Sequence, residues 1–177
     1  MFVKLGGLLV FAWAVAAHGQ GLAATVSDTQ GRPVNLAVLS GKPVVLFYEE
    51  KEATDANQAL KDELLKRGRE ANLLSAVRVI AVANVRAYDW FPARPFVIHA
   101  VRDIEKKVGI PVYLDWGGAL SRSPPGLAAS GASVLLLDRG GGVRFTKHGR
   151  LSRAEMEALL GMLDDMVRNP EASRGDR

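Results

Sequence analysis

Four carboxylates stand close together at Glu49, Glu50, Glu52 and Asp55, just after an apolar run and just before a helical pattern. Several carboxylate oxygens in one place can hold a hard cation such as calcium, and a pair of them can act as acid and base. The same residues at a helix start are also favoured simply by the helix dipole, and the spacing is not that of a calcium loop. Solvated helix-start acids are therefore the default, with a metal- or carboxylate-dependent site as the alternative. Two further pairs, Asp89-Trp90 and Asp115-Trp116, each follow an apolar run. Aromatics at that end of a sheet can line a groove, or they can cap the core while the aspartate turns the chain. The loop Ala87 to Pro95, with Tyr88, Trp90, Phe91 and the bordering Phe96, is the best binding candidate.

Other chemistries are absent or unsupported. The chain has no cysteine, so no thiolate can form and neither disulfide exchange nor cysteine-based peroxide reduction is available. Of the three histidines, His18 falls in the leader, and His99 and His148 have no ligand spacing, so no metal site is expected. Gly140-Gly141-Gly142 joins two strands, whereas a phosphate loop opens onto a helix. No serine sits in a nucleophile-elbow or S-x-x-K pattern. No cofactor is expected.

The elements that must position these residues can be read from periodicity. Val44–Tyr48, Val77–Ala83 and Val134–Leu137 are short continuous apolar runs, as strands in the middle of a covered sheet are. Ala56, Ala59, Leu60 and Leu64 fall on one helical face after an N-cap at Thr54 or Asp55. Val97, Ala100, Val101, Ile104 and Val108 make a second apolar stripe, stopped by Gly109. Ser152 and Glu155 form a capping box, Leu151 and Met156 a hydrophobic staple, and Met156, Leu159, Leu160, Leu163 and Val167 the buried stripe of the last helix. Hairpins are expected around Asp28–Gly31 and Arg139–Gly142, and a short strand at Val112–Asp115.

At 177 residues the chain suits one domain. Residues 1–19 resemble a secretory signal peptide: one charge at Lys4, an apolar run from Leu5 to Ala17, then small residues. That run is short for a membrane span, so no stable membrane insertion is expected after cleavage. Loss of the leader leaves 22 basic against 19 acidic side chains, interleaved rather than clustered. A nucleic-acid partner is therefore not expected. Residues 24–168 form the expected domain, and the charged tail 169–177 is expected to be loose.

The order of elements resembles the thioredoxin-like fold of exported thiol oxidoreductases and peroxiredoxins. The carriers are Asp28-x-x-Gly31, Leu36, Gly41-Lys42-Pro43-Val44-Val45-Leu46-Phe47-Tyr48, and Val134-Leu135-Leu136-Leu137-Asp138 with Gly142-Val143 and Gly149. Within that superfamily, Gly131–Leu151 and the Ser152-x-x-Glu155 helix most resemble the YtfJ family of bacterial periplasmic proteins. The resemblance implies an α/β, three-layer sandwich: a mixed central sheet flanked by helices, with an N-terminal hairpin. A thioredoxin places its reactive cysteines where this chain reads Glu49-Glu50-Lys51-Glu52-Ala53-Thr54-Asp55, and a proline where Ala132 and Ser133 stand. Both halves of that site are gone. The expected function is a periplasmic, non-catalytic binding or accessory module with an envelope protein as partner. The alternative is an enzyme using the acidic start of the first helix.

Overall fold

The computed structural model describes residues 22–39, 41–122 and 126–170. The leader expected at 1–19 and residues 171–177 of the expected tail lie outside the described residues. Seven strands form one sheet: β1 (Thr25–Ser27), β2 (Pro33–Asn35), β3 (Val44–Glu49), β4 (Arg78–Asn84), β5 (Val112–Asp115), β6 (Ala132–Leu137) and β7 (Val143–His148). Their order is β2-β1-β5-β4-β3-β6-β7. β3, β4 and β5 are parallel neighbours, and every other pairing is antiparallel. The helices are α1 (Gln58–Glu70), α2 (Leu73–Ala76), α3 (Ala93–Val108), α4 (Ala119–Arg122) and α5 (Arg153–Arg168).

Every residue of β3 and β6 is buried, which is why both read as unbroken apolar runs rather than alternating ones. The side chains of one face, Val45, Phe47, Val79, Val134 and Leu136, pack with Leu60 and Leu64 of α1 and with Leu159, Leu160 and Leu163 of α5. On the same face, Val112 and Leu114 pack with Val101 of α3. The opposite face, with Leu46, Tyr48, Ile80 and Leu135, is covered by Leu22, Leu36, Leu39, Leu120 and Leu127. The crossovers β3-α1-β4 and β4-α3-β5 step across the sheet in the same direction. Right-handed crossovers therefore set α1 and α3 on one face, while the long return from β5 to β6 carries α4 over the other. The carboxyl ends of the three parallel strands, Glu49, Asn84 and Asp115, consequently share one end of the sheet with the start of β6.

The expected capping box closes α5: Ser152 Oγ accepts from the Glu155 amide at 3.3 Å, and Glu155 Oε2 accepts from the Ser152 amide at 2.8 Å. Ser152→Ala is expected to cost about 1 kcal/mol, read as a melting temperature lowered by about 3 °C. An unchanged melting temperature would show that tertiary packing alone sets the start of α5.

Two expectations need correction. The first helix does not start at Thr54 or Asp55: Lys51–Ala53 make a 3-10 turn and α1 begins at Gln58. Asn57, at the cap position, makes no capping bond there; its buried amide instead donates to the Gly149 carbonyl at 3.2 Å and accepts from the Leu151 amide at 2.9 Å. Tying down the β7–α5 connection overrides the local capping preference. Nor is the α3 stripe buried as a whole. Val101 is buried and Val97 half-buried, but Ala100, Ile104 and Val108 are exposed. Glu105 accepts from the Thr29 hydroxyl at 2.8 Å and the Val112 amide at 3.2 Å, and Arg102 donates to the Thr29 carbonyl at 2.6 Å. These bonds turn Glu105 inward and roll the Ala100–Ile104 edge out.

Candidate functional site

Glu50 follows β3 directly, within the stretch Glu49–Asp55 that stands where a thioredoxin carries its thiols. Its amide donates to the Gly131 carbonyl at 3.0 Å, and its Oε2 accepts from the Gly131 amide at 2.9 Å. Gly131 sits at φ +82°, a left-handed conformation that glycine adopts without strain. Asn84, the last residue of β4, donates to the Ala129 carbonyl at 3.0 Å and lies 3.5 Å from Glu50 Oε1, the outer limit for a hydrogen bond. Glu50 thus closes the gap between β3 and the segment leading into β6, next to Ala132, where the proline of the fold would fall.

Glu49 points to the helical face and is 7 % exposed. Lys61 of α1 donates to its Oε2 at 2.7 Å and to the Thr54 carbonyl at 2.6 Å, while its ammonium stands 5.3 Å from the centre of the Phe47 ring. Oε1 of Glu49 has no hydrogen-bond partner. Burial pushes the Glu49 carboxyl above the ordinary carboxylate range; Lys61 pulls it back, and the Asp55 charge adds to the rise. Glu52 and Asp55 stay exposed, with the Tyr88 hydroxyl 3.5 Å from Glu52 Oε1. The four acids have separated into two that are locked into the fold and two that face solvent.

The two Asp-Trp pairs also diverge. Asp115 is 1 % exposed and holds three donors: the Tyr48 hydroxyl at 3.1 Å, the Ala119 amide at 2.8 Å and the Leu120 amide at 3.0 Å. Burial first, and then the Asp115 charge, push the Tyr48 phenol far above its usual range, so it remains a protonated donor. Asp115 thereby orients α4 and seals the face beneath Glu50. Trp116 packs half-buried beside Val101 and Leu114, with the Arg94 guanidinium 4.6 Å above its ring. Arg94 in turn pairs with Asp89. Trp90 projects into solvent at 57 % exposure.

Of the eight residues singled out from sequence, Glu49, Glu50, Asp115 and Trp116 serve the fold, while Glu52, Asp55, Asp89 and Trp90 reach the surface at the same end. Four participants escaped the sequence reading: Tyr48 inside an apolar run, Lys61 beside the apolar face of α1, Asn84 closing β4, and Gly131. Only Asn84, a polar residue at the end of an apolar strand, left a readable signal. Among the described residues no three His, Cys, Asp or Glu side chains gather closely enough to hold a metal. His99 is exposed beside Asp103, and His148 Nδ1 lies 3.0 Å from Ser133 Oγ. Among the described residues no helix is long and apolar enough to cross a membrane.

No protein-family model matches the chain, and no curated protein matches it in sequence. Solved structures do. A thiol-disulfide isomerase from Corynebacterium glutamicum superimposes with a TM-score of 0.59 at 20 % identity, over 82 % of this chain and 96 % of that one. A secreted thiol-disulfide isomerase from the same organism gives 0.58 at 15 %, covering 82 % and 86 %. The exposed lipoprotein thioredoxin of Streptococcus pneumoniae gives 0.54 at 17 %, covering 80 % and 97 %. The chain therefore has the thioredoxin-like fold, as its element order implied. Identity this low establishes the fold alone, and a cysteine-free chain cannot carry out thiol exchange.

Proposed function

We propose that this protein is an exported, non-catalytic module that presents the strand-end surface of a thioredoxin-like fold to another envelope protein. The observation that carries this reading is Glu50. Within the stretch Glu49–Asp55, where a thioredoxin carries its reactive thiols, the Glu50 carboxylate is bonded to the Gly131 amide, and the Asp115 network closes the sheet end beneath it. A surface sealed in this way offers no thiol, while Glu52, Asp55 and Trp90 remain accessible beside it. They suit a partner segment carrying basic groups next to an apolar one. The apolar leader and the resemblance of Gly131–Leu151 to the YtfJ family support a periplasmic setting, with the leader removed. Pure protein is expected neither to reduce insulin disulfides nor to consume peroxide; clear turnover of either would overturn the non-catalytic reading.

A carboxylate-dependent enzyme is the second reading, and one observation favours it: buried Glu49 has an unpartnered oxygen and a raised pKa, as a general acid requires. Its test is a stoichiometric ion, or a hydrolytic activity that Glu49→Gln abolishes.

A further inference from the structure

The start of α1 and the connection from β7 to α5 border a pocket of about 180 Å³, lined chiefly by Asp55, Ala59, Leu60, Arg150, Leu151 and Met156. Leu60 is buried, and Leu151 and Met156 are half-buried, so the floor is apolar. The two walls are fixed to each other by the buried Asn57 side chain, which donates to the Gly149 carbonyl and accepts from the Leu151 amide. A site held in shape before anything enters costs less to fill. An apolar cavity of roughly 150 Å³ takes benzene, so this space suits one aliphatic or aromatic side chain. The rim carries two exposed charges of opposite sign, Asp55 on the α1 side and Arg150 on the α5 side. Neither forms an ion pair with the other or with any described residue. On the adjoining turns Lys61, Glu155 and Arg153 are already held by Glu49, Lys147 and Glu157.

We propose that this pocket takes one apolar side chain of an extended partner segment, which sets a basic residue against Asp55 on one flank and an acidic residue against Arg150 on the other. The inference rests on the strand-end reading above, because Asp55 belongs to both surfaces, and it gives that partner a chemical signature. In an extended chain, side chains two residues apart point to the same side, so the pattern basic-x-apolar-x-acidic presents all three groups together. Burial of a leucine-sized side chain changes affinity by more than tenfold, whereas an exposed ion pair changes it by about fivefold at most. The floor therefore supplies the affinity, and the rim charges select the sequence and its direction. A free zwitterionic amino acid carries both charges on one carbon, whereas Asp55 and Arg150 stand on separate walls, so charges spaced along a chain match them better.

Titration of the protein with the capped pentapeptide Lys-Ala-Leu-Ala-Glu, followed through the methyl resonances of Leu60, Leu151 and Met156, tests the proposal. Saturable shifts of these resonances are expected. Serine in place of the peptide's leucine should weaken binding about tenfold or more, and Asp55→Asn or Arg150→Gln by about two- to fivefold. Asp55→Asn should cost nothing further once the peptide's lysine is replaced by glutamine, since the two changes remove the same contact. Ala59→Phe, which fills the pocket from an exposed position on α1, is expected to abolish the shifts while keeping the parent's melting temperature. No saturable shift, equal binding of the serine peptide, indifference to both rim variants, or the same shifts with free L-leucine would overturn it. Capture of an envelope partner that depends on Glu52 and Trp90 but not on Asp55 or Ala59 would also overturn this pocket, while leaving the strand-end surface standing.

Discussion

Asp115→Ala is expected to lower the melting temperature by about 10 °C, because one deletion orphans two buried donors and a half-buried one. The Tyr48 hydroxyl and the amides of Ala119 and Leu120 all end on this carboxylate. A buried donor left without a partner costs about 1–3 kcal/mol, and about 3 kcal/mol for the site corresponds to that shift in a domain of this size. Tyr48→Phe removes one donor together with its share of the acceptor, so it is expected to cost only about 1 kcal/mol. Thermal denaturation of both variants measures the difference. Equal and small losses would mean that water enters the strand end and that the seal beneath Glu50 is not closed.

Lys61→Met is expected to destabilise the protein by about 3–5 kcal/mol at neutral pH, the usual cost of leaving a buried carboxylate without its counter-ion. The pH dependence should identify Glu49 as the cause. Its folded-state pKa is raised above the ordinary value of 4.5, so the fold favours the protonated form. Stability contributed by this group is therefore gained as pH falls through the folded pKa toward 4.5, and lost as pH rises. Without Lys61 the rise in pKa is larger, and the variant should regain much of its stability at about pH 5 while the parent changes little. Glu155 works in the opposite sense but in a lower window. Its carboxyl is held at about 2, first by the Lys147 hydrogen bond and then by the Ser152 amide, so its contribution fades only as pH falls below the ordinary carboxylate value. Adding Glu49→Gln to Lys61→Met should restore most of the loss at neutral pH. A deficit independent of pH would show that Lys61 acts through its packing on Phe47 instead.

The elements that fill the sheet were legible because burial on both faces leaves a plain mark. Val44–Tyr48 and Val134–Leu137 can lie nowhere but in the middle of a covered sheet, and the Ser152-Glu155 box marks a helix start through bonds made within four residues. What was not legible depends on contacts distant in sequence. Asn57 leaves its capping role to hold Gly149 and Leu151, and the face that α3 buries is chosen by Thr29, more than seventy residues away from Glu105. The candidate site divides in the same way. The run Glu49–Asp55 marked the correct end of the sheet, but nothing local separates Glu50, which bonds to Gly131, from Glu52, which faces solvent. Asp115 and Asp89 look alike in sequence, each before a tryptophan; only the tertiary structure buries one beneath Tyr48 and leaves the other paired with Arg94.

The measurement closest to the central claim is capture from envelope extract on the immobilised protein, beside the Glu52→Lys/Trp90→Ser double variant, with metal content read on the same preparation. A specific protein partner retained by the parent, lost by the variant and accompanied by no stoichiometric ion is the predicted result. A divalent ion bound one per chain, or a set of captured proteins identical for parent and variant, would contradict the strand-end surface as a non-catalytic binding face.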